Sequence, residues 1–226
     1  MNALRSIRFS MVFRWMLMFA VLMVPQVAQA QWRATVGAQS DNLGRQALAF
    51  LPNEIWIHAG DSITWTFASD ETHTVTFLKP GQIRPSGLMV GCPGISPDGS
   101  TFDGSTCVTT ARLAKGQSFT VIFPVAGNFK LVCLVHANMT AAVHVLDLSK
   151  PLPHDQEFYD EQAEEVAEAL LSDTDHHGDH ERHDSDGAAV TAGIGEVSAT
   201  AGGSETLSVM RFKRPVTVIH AGETVE

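Results

Sequence analysis

Glu54-Ile-Trp-Ile-His58-Ala-Gly-Asp-Ser62-Ile-Thr-Trp-Thr-Phe67 is the stretch that decides the fold of this chain of 226 residues. Polar and apolar side chains alternate through residues 54–58 and again through residues 62–67, and Ala-Gly-Asp between them is a turn signal. A period of two places alternate side chains on opposite faces of a β-strand. The stretch therefore predicts two strands joined by a turn.

Four further segments have the same character, at residues 72–77, 117–123, 128–133 and 140–146. Most are short, rich in β-branched or aromatic residues, and bounded by Gly, Pro, Asn or Asp. Short strands at this spacing predict an all-β sandwich or barrel over residues 31–148. Residues 79–110 form a long insertion rich in Gly and Pro, and loops of this length are usually functional or mobile.

The N-terminus has the features of a Sec-type signal peptide at residues 1–30. Three arginines precede the apolar run Trp15–Val24, and Ala28-Gln-Ala30 is a small-x-small cleavage site. The prediction is cleavage after Ala30 and export to the periplasm or out of the cell. The alternative is an uncleaved membrane anchor. No later segment is apolar enough to span a membrane, so no membrane span is expected after cleavage.

The three cysteines are an odd number, which needs an explanation in an exported protein. Cys92 and Cys107 flank a loop rich in Gly, Pro, Ser and Asp and are natural disulfide partners in an oxidising compartment. Closing a loop of about 15 residues would stabilise the fold by about 3 kcal/mol. Cys133 is then left over, and binding a metal as thiolate would account for it. The alternative pairs Cys133 with one of the other two.

The formal net charge is −10, and most of the acidity lies in residues 155–186. Residues 31–148 carry seven basic and eight acidic side chains, a net charge of −1. No basic patch points to a nucleic-acid partner. Residues 149–190 have the composition of an acidic, His-rich linker that contains a short helix at residues 155–171. The linker holds His176, His177, His180 and His183. His176, His180 and His183 could share a helical face and bind a metal ion, and the alternative is a disordered linker without a metal site.

A repeat occurs near the end of the sequence. Residues 215–225 match residues 53–63 at a shift of 162, with Ile-His-Ala-Gly and a following acidic residue in both. Residues 191–226 therefore read as the first strands of a second, truncated β domain. Two strands alone cannot bury a core. The alternative is a β-tail that packs on the first domain or on a partner.

The second decisive stretch is Cys133-Leu-Val-His136-Ala-Asn-Met139, which follows a strand-like run. It places a thiol, an imidazole and a thioether within seven positions, and His73 lies upstream in another strand-like segment. One cysteine, two histidines and a methionine are the ligands of a blue-copper electron-transfer centre, with the methionine weak and axial. We therefore predict His73, Cys133, His136 and Met139 as metal ligands and expect no catalytic residue.

Each ligand also has a structural alternative. Cys133 suits a buried apolar thiol, Met139 suits core packing, and the two histidines suit polar positions on a strand and a loop. Met89 is a second candidate for the axial position. The remaining strand histidines, His58, His144 and His220, are predicted to be surface residues.

Taken together, these motifs resemble the cupredoxins of the plastocyanin and amicyanin type. The resemblance rests on Ile57-His-Ala-Gly-Asp-Ser-Ile-Thr-Trp65, His73-Thr-Val-Thr-Phe77 and the Cys-x₂-His-x₂-Met spacing of residues 133–139. It implies a Greek-key β-sandwich with one type 1 copper per domain. It also implies an electron carrier that cycles between Cu(I) and Cu(II) and a redox partner that docks transiently near His136, where Leu134, Val135 and Ala137 would form an apolar port.

Two departures from the family pattern stand out. Thr74 occupies the position that commonly holds Asn, whose side chain ties the ligand loops together, so that bond is expected to be made less well. The interval from His73 to Cys133 is also longer than in amicyanin. Two other functions remain open: the N-terminal part of a two-domain copper oxidoreductase of the nitrite reductase or multicopper oxidase type, and copper storage or delivery.

Overall fold

The computed structural model describes residues 29–85, 91–172, 192–199 and 204–212. The predicted signal peptide up to residue 28, Met89, the four histidines of the linker and the repeat at residues 215–225 lie outside these ranges. Within them, the elements follow in the order β1 (Gln31–Gln39), β2 (Arg45–Leu51), β3 (Glu54–His58), β4 (Ser62–Phe67), β5 (Thr76–Phe77), β6 (Ser100–Thr101), β7 (Val108–Thr109), β8 (Ser118–Ile122), β9 (Gly127–Val132), β10 (Thr140–Leu146), α1 (Gln156–Ser172), β11 (Ala192–Ala199) and β12 (Ser204–Phe212).

The strands before the helix form the two layers of a β-sandwich. One layer has the order β6-β8-β4-β1-β2, and the other consists of β10-β9-β5-β7 with β3 on the free side of β10. β1 runs parallel to β4, and β3 runs parallel to β10, although neither pair is consecutive along the chain. Such crossings between distant strands are typical of Greek-key sandwiches, and the predicted fold class is confirmed.

The core lies between the layers because the strands alternate as the sequence predicts. Ile55 and Ile57 of β3 are buried while their neighbours are half-buried, and the same pattern continues in β4. The aromatic residues at the centre meet edge to face or tilted, with ring centroids of Trp65 and Phe77 5.5 Å apart and those of Phe77 and Phe123 5.2 Å apart. Aromatic pairs in this geometry add to the stabilisation from burial.

The turn between β3 and β4 is held by a buried carboxylate. Asp61 accepts hydrogen bonds from the indole N–H of Trp32 at 2.9 Å, from the backbone N–H of His58 at 3.0 Å and from that of Ala30 at 2.8 Å. A buried carboxylate needs such partners, because removing it from water is otherwise costly. The Ala-Gly-Asp signal thus joins the turn to the start of β1.

Two local expectations differ from the structure. The strand predicted at residues 72–77 is reduced to Thr76 and Phe77. The backbone N–H and carbonyl of His73 bond to the backbone of Leu113, and the N–H of Val75 donates to the side chain of Thr110, so these residues do not pair with a neighbouring strand. Strands β1 and β2 were not predicted. β2 is buried along almost its whole length and therefore lacks the alternation that marks a half-exposed strand.

Helix α1 packs on the sandwich with one fully buried side chain, Tyr159. Its hydroxyl accepts a hydrogen bond from the backbone N–H of Trp56 at 3.0 Å, and its ring meets that of Trp32 edge to face at 5.9 Å. An ion pair of 2.7 Å between Arg33 and Asp160 adds a surface contact. In the described part of the chain, no helix is both long and apolar enough to span a membrane.

Strands β11 and β12 form an antiparallel hairpin beyond the linker. β12 also pairs with β2, with residues 206–209 opposite residues 45–48, and meets β10 at a single position, Ser204 opposite Thr140. The hairpin therefore continues the sheet at the edge of β2.

Candidate metal centre

Three of the predicted ligands converge at one end of the sandwich. The Sγ atom of Cys133 lies 4.0 Å from Nδ1 of His73 and 3.7 Å from Nδ1 of His136, and the two Nδ1 atoms are 3.1 Å apart. His73 and Cys133 are fully buried and His136 is half-buried. Among the described residues, no other group of three His, Cys, Asp or Glu side chains has the spacing of a metal site.

A tight hairpin loop between β9 and β10 brings Cys133 and His136 together. The backbone N–H of Cys133 donates to the carbonyl of Met139 at 3.0 Å, and the N–H of Met139 donates to the carbonyl of His136 at 3.3 Å. These bonds close the seven-residue loop directly onto the paired strands, where Val132 faces Thr140. The x₂ spacings of the motif thus correspond to a compact turn on a rigid scaffold.

Met139 is fully buried beneath the same loop and belongs to the main core. Its backbone contributes to the loop as described, and its burial suits both core packing and axial ligation. Its role as the axial ligand remains a prediction.

Both histidines are held from behind by residues of the segment that follows β4. Nε2 of His73 is 3.0 Å from the hydroxyl of Ser69, and Nε2 of His136 is 3.3 Å from a carboxylate oxygen of Glu71. Partners at Nε2 leave each Nδ1 turned toward the thiol, which is the orientation that metal ligation through Nδ1 requires. An outer hydrogen bond of this kind orients a ligand ring and selects its tautomer.

The backbone of β1 approaches this cluster closely at Gly37. A Cβ atom placed there would overlap the Ser69 hydroxyl and lie 2.9 Å from Nε2 of His73. Gly37 also has a φ of +70° at a β-bulge between Val36 and Ala38, where glycine is favoured. The bulge therefore makes room for the first histidine and its partner.

Thr74 ties the two ligand segments together. Its hydroxyl accepts a hydrogen bond from the backbone N–H of Leu134 at 2.8 Å and from the hydroxyl of Thr76 at 3.1 Å. Its own N–H donates to the Cys133 sulfur at 3.4 Å. The sequence comparison with the family predicted a weaker tie at this position, but the threonine hydroxyl reaches the loop at ordinary hydrogen-bond distance.

The cluster favours the thiolate form of the cysteine. Burial by itself raises the pKa of Cys133, but hydrogen bonds from His136, His73 and the Thr74 N–H outweigh it and lower the pKa from 9.0 to about 5. For His136, burial lowers the pKa, and the hydrogen bonds and negative charges of Cys133 and Glu71 reverse this effect and raise it. A thiolate is the form in which cysteine binds metals.

The insertion that follows β5 lies against the ligand loop. Cys92 and Cys107 are joined in a disulfide with Cα atoms 5.1 Å apart, and Cys133 is the free cysteine, as predicted. The guanidinium of Arg84 donates to the carbonyl of Cys133 at 2.9 and 3.2 Å. Leu134 is buried in a small cluster with Leu78, Cys107 and Val132 and is not part of an exposed port.

Three partners of the centre were not found from the sequence, namely Ser69, Glu71 and Arg84. Ser69 and Glu71 precede His73 by four and two positions, so their proximity along the chain was the available signal. Arg84 lies in an irregular loop, where no periodicity places a side chain.

Two histidines that were predicted to be surface residues are half-buried and have partners. His144 contacts Glu54 at 2.9 Å and Asn128 at 2.6 Å and stacks on the indole of Trp56 at 4.5 Å. His58 contacts the carbonyl of Lys150 at 2.8 Å through Nε2. Both have structural contacts away from the cluster. His220 lies outside the described residues.

The donors suit copper in both chemistry and spacing. A three-coordinate ion with metal–ligand bonds of about 2.0–2.3 Å holds its donors roughly 3.5–4 Å apart, close to the 3.1–4.0 Å found among these three atoms. One thiolate with two imidazoles is the trigonal set of blue-copper sites. A copper ion held by His73, Cys133 and His136 is therefore compatible with the chain as it folds.

Comparisons with known proteins agree with this site. Residues 38–146 match the family of copper binding proteins described as the plastocyanin/azurin family. No curated protein matches the chain significantly.

Similar solved structures include the reduced Cu(I) form of an amicyanin mutant at pH 4. It is 18% identical, with a TM-score of 0.35 over 54% of this chain and 87% of that chain. A mutant plastocyanin of fern is 21% identical, with a TM-score of 0.35 over 50% of this chain and 99% of that chain. The family match and the His–Cys–His cluster together indicate one type 1 copper. Residues 38–146 thus form a cupredoxin domain, a member of the plastocyanin/azurin family of copper binding proteins.

Proposed function

We propose that this protein is a periplasmic electron carrier whose cupredoxin domain cycles one type 1 copper between Cu(I) and Cu(II). The observation that carries the proposal is the convergence of Cys133 Sγ with the Nδ1 atoms of His73 and His136 in a largely buried pocket. Copper bound there would supply a one-electron couple. His73, Cys133 and His136 would hold the copper, together with Met139 as a weaker ligand.

The surroundings suit rapid electron transfer because they keep the ligands in place. The Ser69 and Glu71 contacts fix the two rings, and the Thr74 contacts fix the loop that carries the thiolate. Ligands held this firmly need little rearrangement when the metal changes oxidation state. Burial of His73 and Cys133 also excludes water from the thiolate.

His136 is the proposed route for electrons because, of the three ligands, it is the one that is not fully buried. Its neighbour Ala137 is exposed and Val135 is half-buried. A redox protein that docks transiently over these residues would bring its own centre close to the copper through a small interface. No nucleic-acid partner is proposed.

Export to the periplasm, or secretion, is proposed from two features. The first is the predicted Sec-type signal peptide at residues 1–30. The second is the Cys92–Cys107 disulfide, a bond that persists in oxidising compartments.

Spectroscopy of the copper-loaded protein tests the proposal directly. The wild type should show the intense blue band of a thiolate–Cu(II) bond, and Cys133→Ser should abolish it. His144→Ala is the matched control, since this histidine is also half-buried but contacts Glu54 and Asn128 instead of the cluster. Met139→Leu should keep the band and shift the reduction potential. A colourless copper-loaded wild type would refute the proposal.

We also propose that residues 31–148 are a first cupredoxin domain, residues 149–190 a linker and residues 191–226 the beginning of a second domain. The shift of 162 found in the sequence carries β11 onto residues 30–37 and β12 onto residues 42–50, which overlap β1 and β2. This correspondence supports a repeated unit.

A repeated unit favours one second candidate function, a two-domain copper oxidoreductase. Assays for nitrite reduction and O₂ consumption by the copper-loaded protein separate the two functions. A pure carrier exchanges electrons with redox proteins and consumes neither substrate.

A further inference from the structure

We propose that Glu71 is a positioning residue that holds His136 and lowers the reduction potential of the copper site. This inference rests on the proposed function. It concerns a residue to which neither the sequence motifs nor the family match gives a role.

The geometry singles out Glu71 among the charged residues of its segment. Its carboxylate lies 3.3 Å from Nε2 of His136, the ring atom opposite the Nδ1 that faces Cys133. Both side chains are partly shielded, with 17% of His136 and 30% of Glu71 exposed. Asp70, the preceding residue, has the same charge but is exposed and contacts Gln39.

A carboxylate at the far nitrogen of a ligand imidazole acts in two ways. It accepts the Nε2–H hydrogen bond, which orients the ring with Nδ1 toward the metal, and it makes the imidazole a more basic ligand. A more basic ligand and an added negative charge stabilise the more highly charged Cu(II) over Cu(I). The reduction potential falls as a consequence.

The same contact gives the two ligand histidines different outer partners. His73 meets the neutral hydroxyl of Ser69 in a fully buried position, and His136 meets a charged group near the surface. Of the two ring partners, only Glu71 therefore brings a negative charge to a ligand histidine.

The test compares Glu71→Gln with Asp70→Asn by voltammetry of the copper-loaded protein. Both variants remove one negative charge from adjacent positions, and only the first alters the contact with His136. Loss of an outer partner typically costs 10- to 100-fold in metal affinity. A tenfold loss for Cu(II) relative to Cu(I) raises a one-electron potential by about 59 mV.

For Glu71→Gln, we expect the reduction potential to rise by about 59 mV, which is a tenfold change in the Cu(II)/Cu(I) affinity ratio. For Asp70→Asn, we expect that ratio to change less than twofold. Equal shifts in the two variants, or a lower potential in Glu71→Gln, would overturn the role of Glu71 while a blue wild type upholds the copper site. A colourless wild type would overturn the proposed function itself.

A measurement without metal checks the contact independently. In ¹⁵N-labelled metal-free protein, the Nε2–H of His136 should exchange with water faster in Glu71→Ala than in the wild type, because the hydrogen bond to the carboxylate is lost. The His73 signal is the internal reference, because its partner is Ser69. Unchanged exchange at His136 would show that Glu71 does not hold the ring.

Discussion

Replacing Gly37 by Ala tests whether the bulge in β1 is built around the first copper ligand. The added methyl group would overlap the Ser69 hydroxyl and approach Nε2 of His73 to 2.9 Å. Gly37 is also in the left-handed region, with φ +70°. The substitution therefore combines a backbone cost with displacement of a buried hydrogen bond.

The magnitude follows from these two parts. A non-glycine residue in the left-handed region costs about 1–2 kcal/mol. Separating Ser69 from the buried imidazole of His73 adds about 1–3 kcal/mol, because a polar group is left without its partner. We expect Gly37→Ala to lower the free energy of unfolding by about 2–5 kcal/mol in total.

Gly116→Ala isolates the backbone part. Gly116 has a similar φ of +83°, and nothing lies within 4 Å of the position its Cβ would occupy. Its substitution should cost only about 1–2 kcal/mol. Alanine also reduces the entropy of the unfolded chain, but this effect is the same in both variants and cancels in the comparison.

Urea unfolding of the metal-free proteins measures the difference. With an m-value of about 2 kcal/mol/M, the midpoint of Gly37→Ala should lie about 0.5–1.5 M below that of Gly116→Ala. After copper loading, Gly37→Ala should also have a weaker blue band, because His73 is displaced, and Gly116→Ala should keep the wild-type spectrum. Equal midpoints and spectra in the two variants would refute the close approach of β1 to the site.

Further predictions concern the loop and the disulfide. Thr74→Val removes the acceptor of the Leu134 N–H and should cost about 1–3 kcal/mol in urea unfolding of the metal-free protein; an unchanged midpoint would mean that the hydroxyl does not tie the segments. Folding lowers the pKa of Cys133 from 9.0 to about 5. The thiolate therefore stabilises the fold fully above pH 9, the pKa in the unfolded chain, and this stabilisation is lost as the pH falls through the folded pKa of about 5. The stability difference between the metal-free wild type and Cys133→Ser should therefore shrink from about pH 8 to about pH 5, and a difference that grows would contradict the shift. The Cys92–Cys107 bond closes a separation of 15 residues, so its reduction should lower the free energy of unfolding by about 3 kcal/mol, measured by thermal unfolding. The control is a Cys92→Ser/Cys107→Ser variant, whose stability should not change when reductant is added.

The parts of the fold that the sequence predicts are those with alternating burial. β3 and β4 begin and end where the pattern places them, because each has one face in the core and one face partly in solvent. β2 is buried on both faces, so its apolar run has no period, and β5 is short because loop backbone and side chains take its hydrogen bonds. Such outcomes depend on tertiary contacts, which a local pattern does not contain.

The ligands of the candidate site can be predicted from the sequence, but the residues that hold those ligands in place cannot. Cys133 and His136 can be predicted from the sequence because two ligand types occur at a typical spacing in one loop. His73 can be predicted because it lies near the start of a strand-like segment. The partners behind the rings are not readable. Ser69 and Glu71 are ordinary turn residues, and only the fold of the segment onto the site makes them neighbours of two imidazoles.

Helix α1 has a consequence for how much of the chain must be produced to study the copper centre. Tyr159 fills a gap beside Trp32 and bonds to the backbone of β3, so a fragment that ends at residue 148 would uncover an indole and leave the Trp56 N–H without its partner. The shortest stable recombinant fragment should therefore extend to Ser172. Tryptophan fluorescence, blue-shifted in the longer fragment and red-shifted in the shorter one, would report whether the helix seals the sandwich.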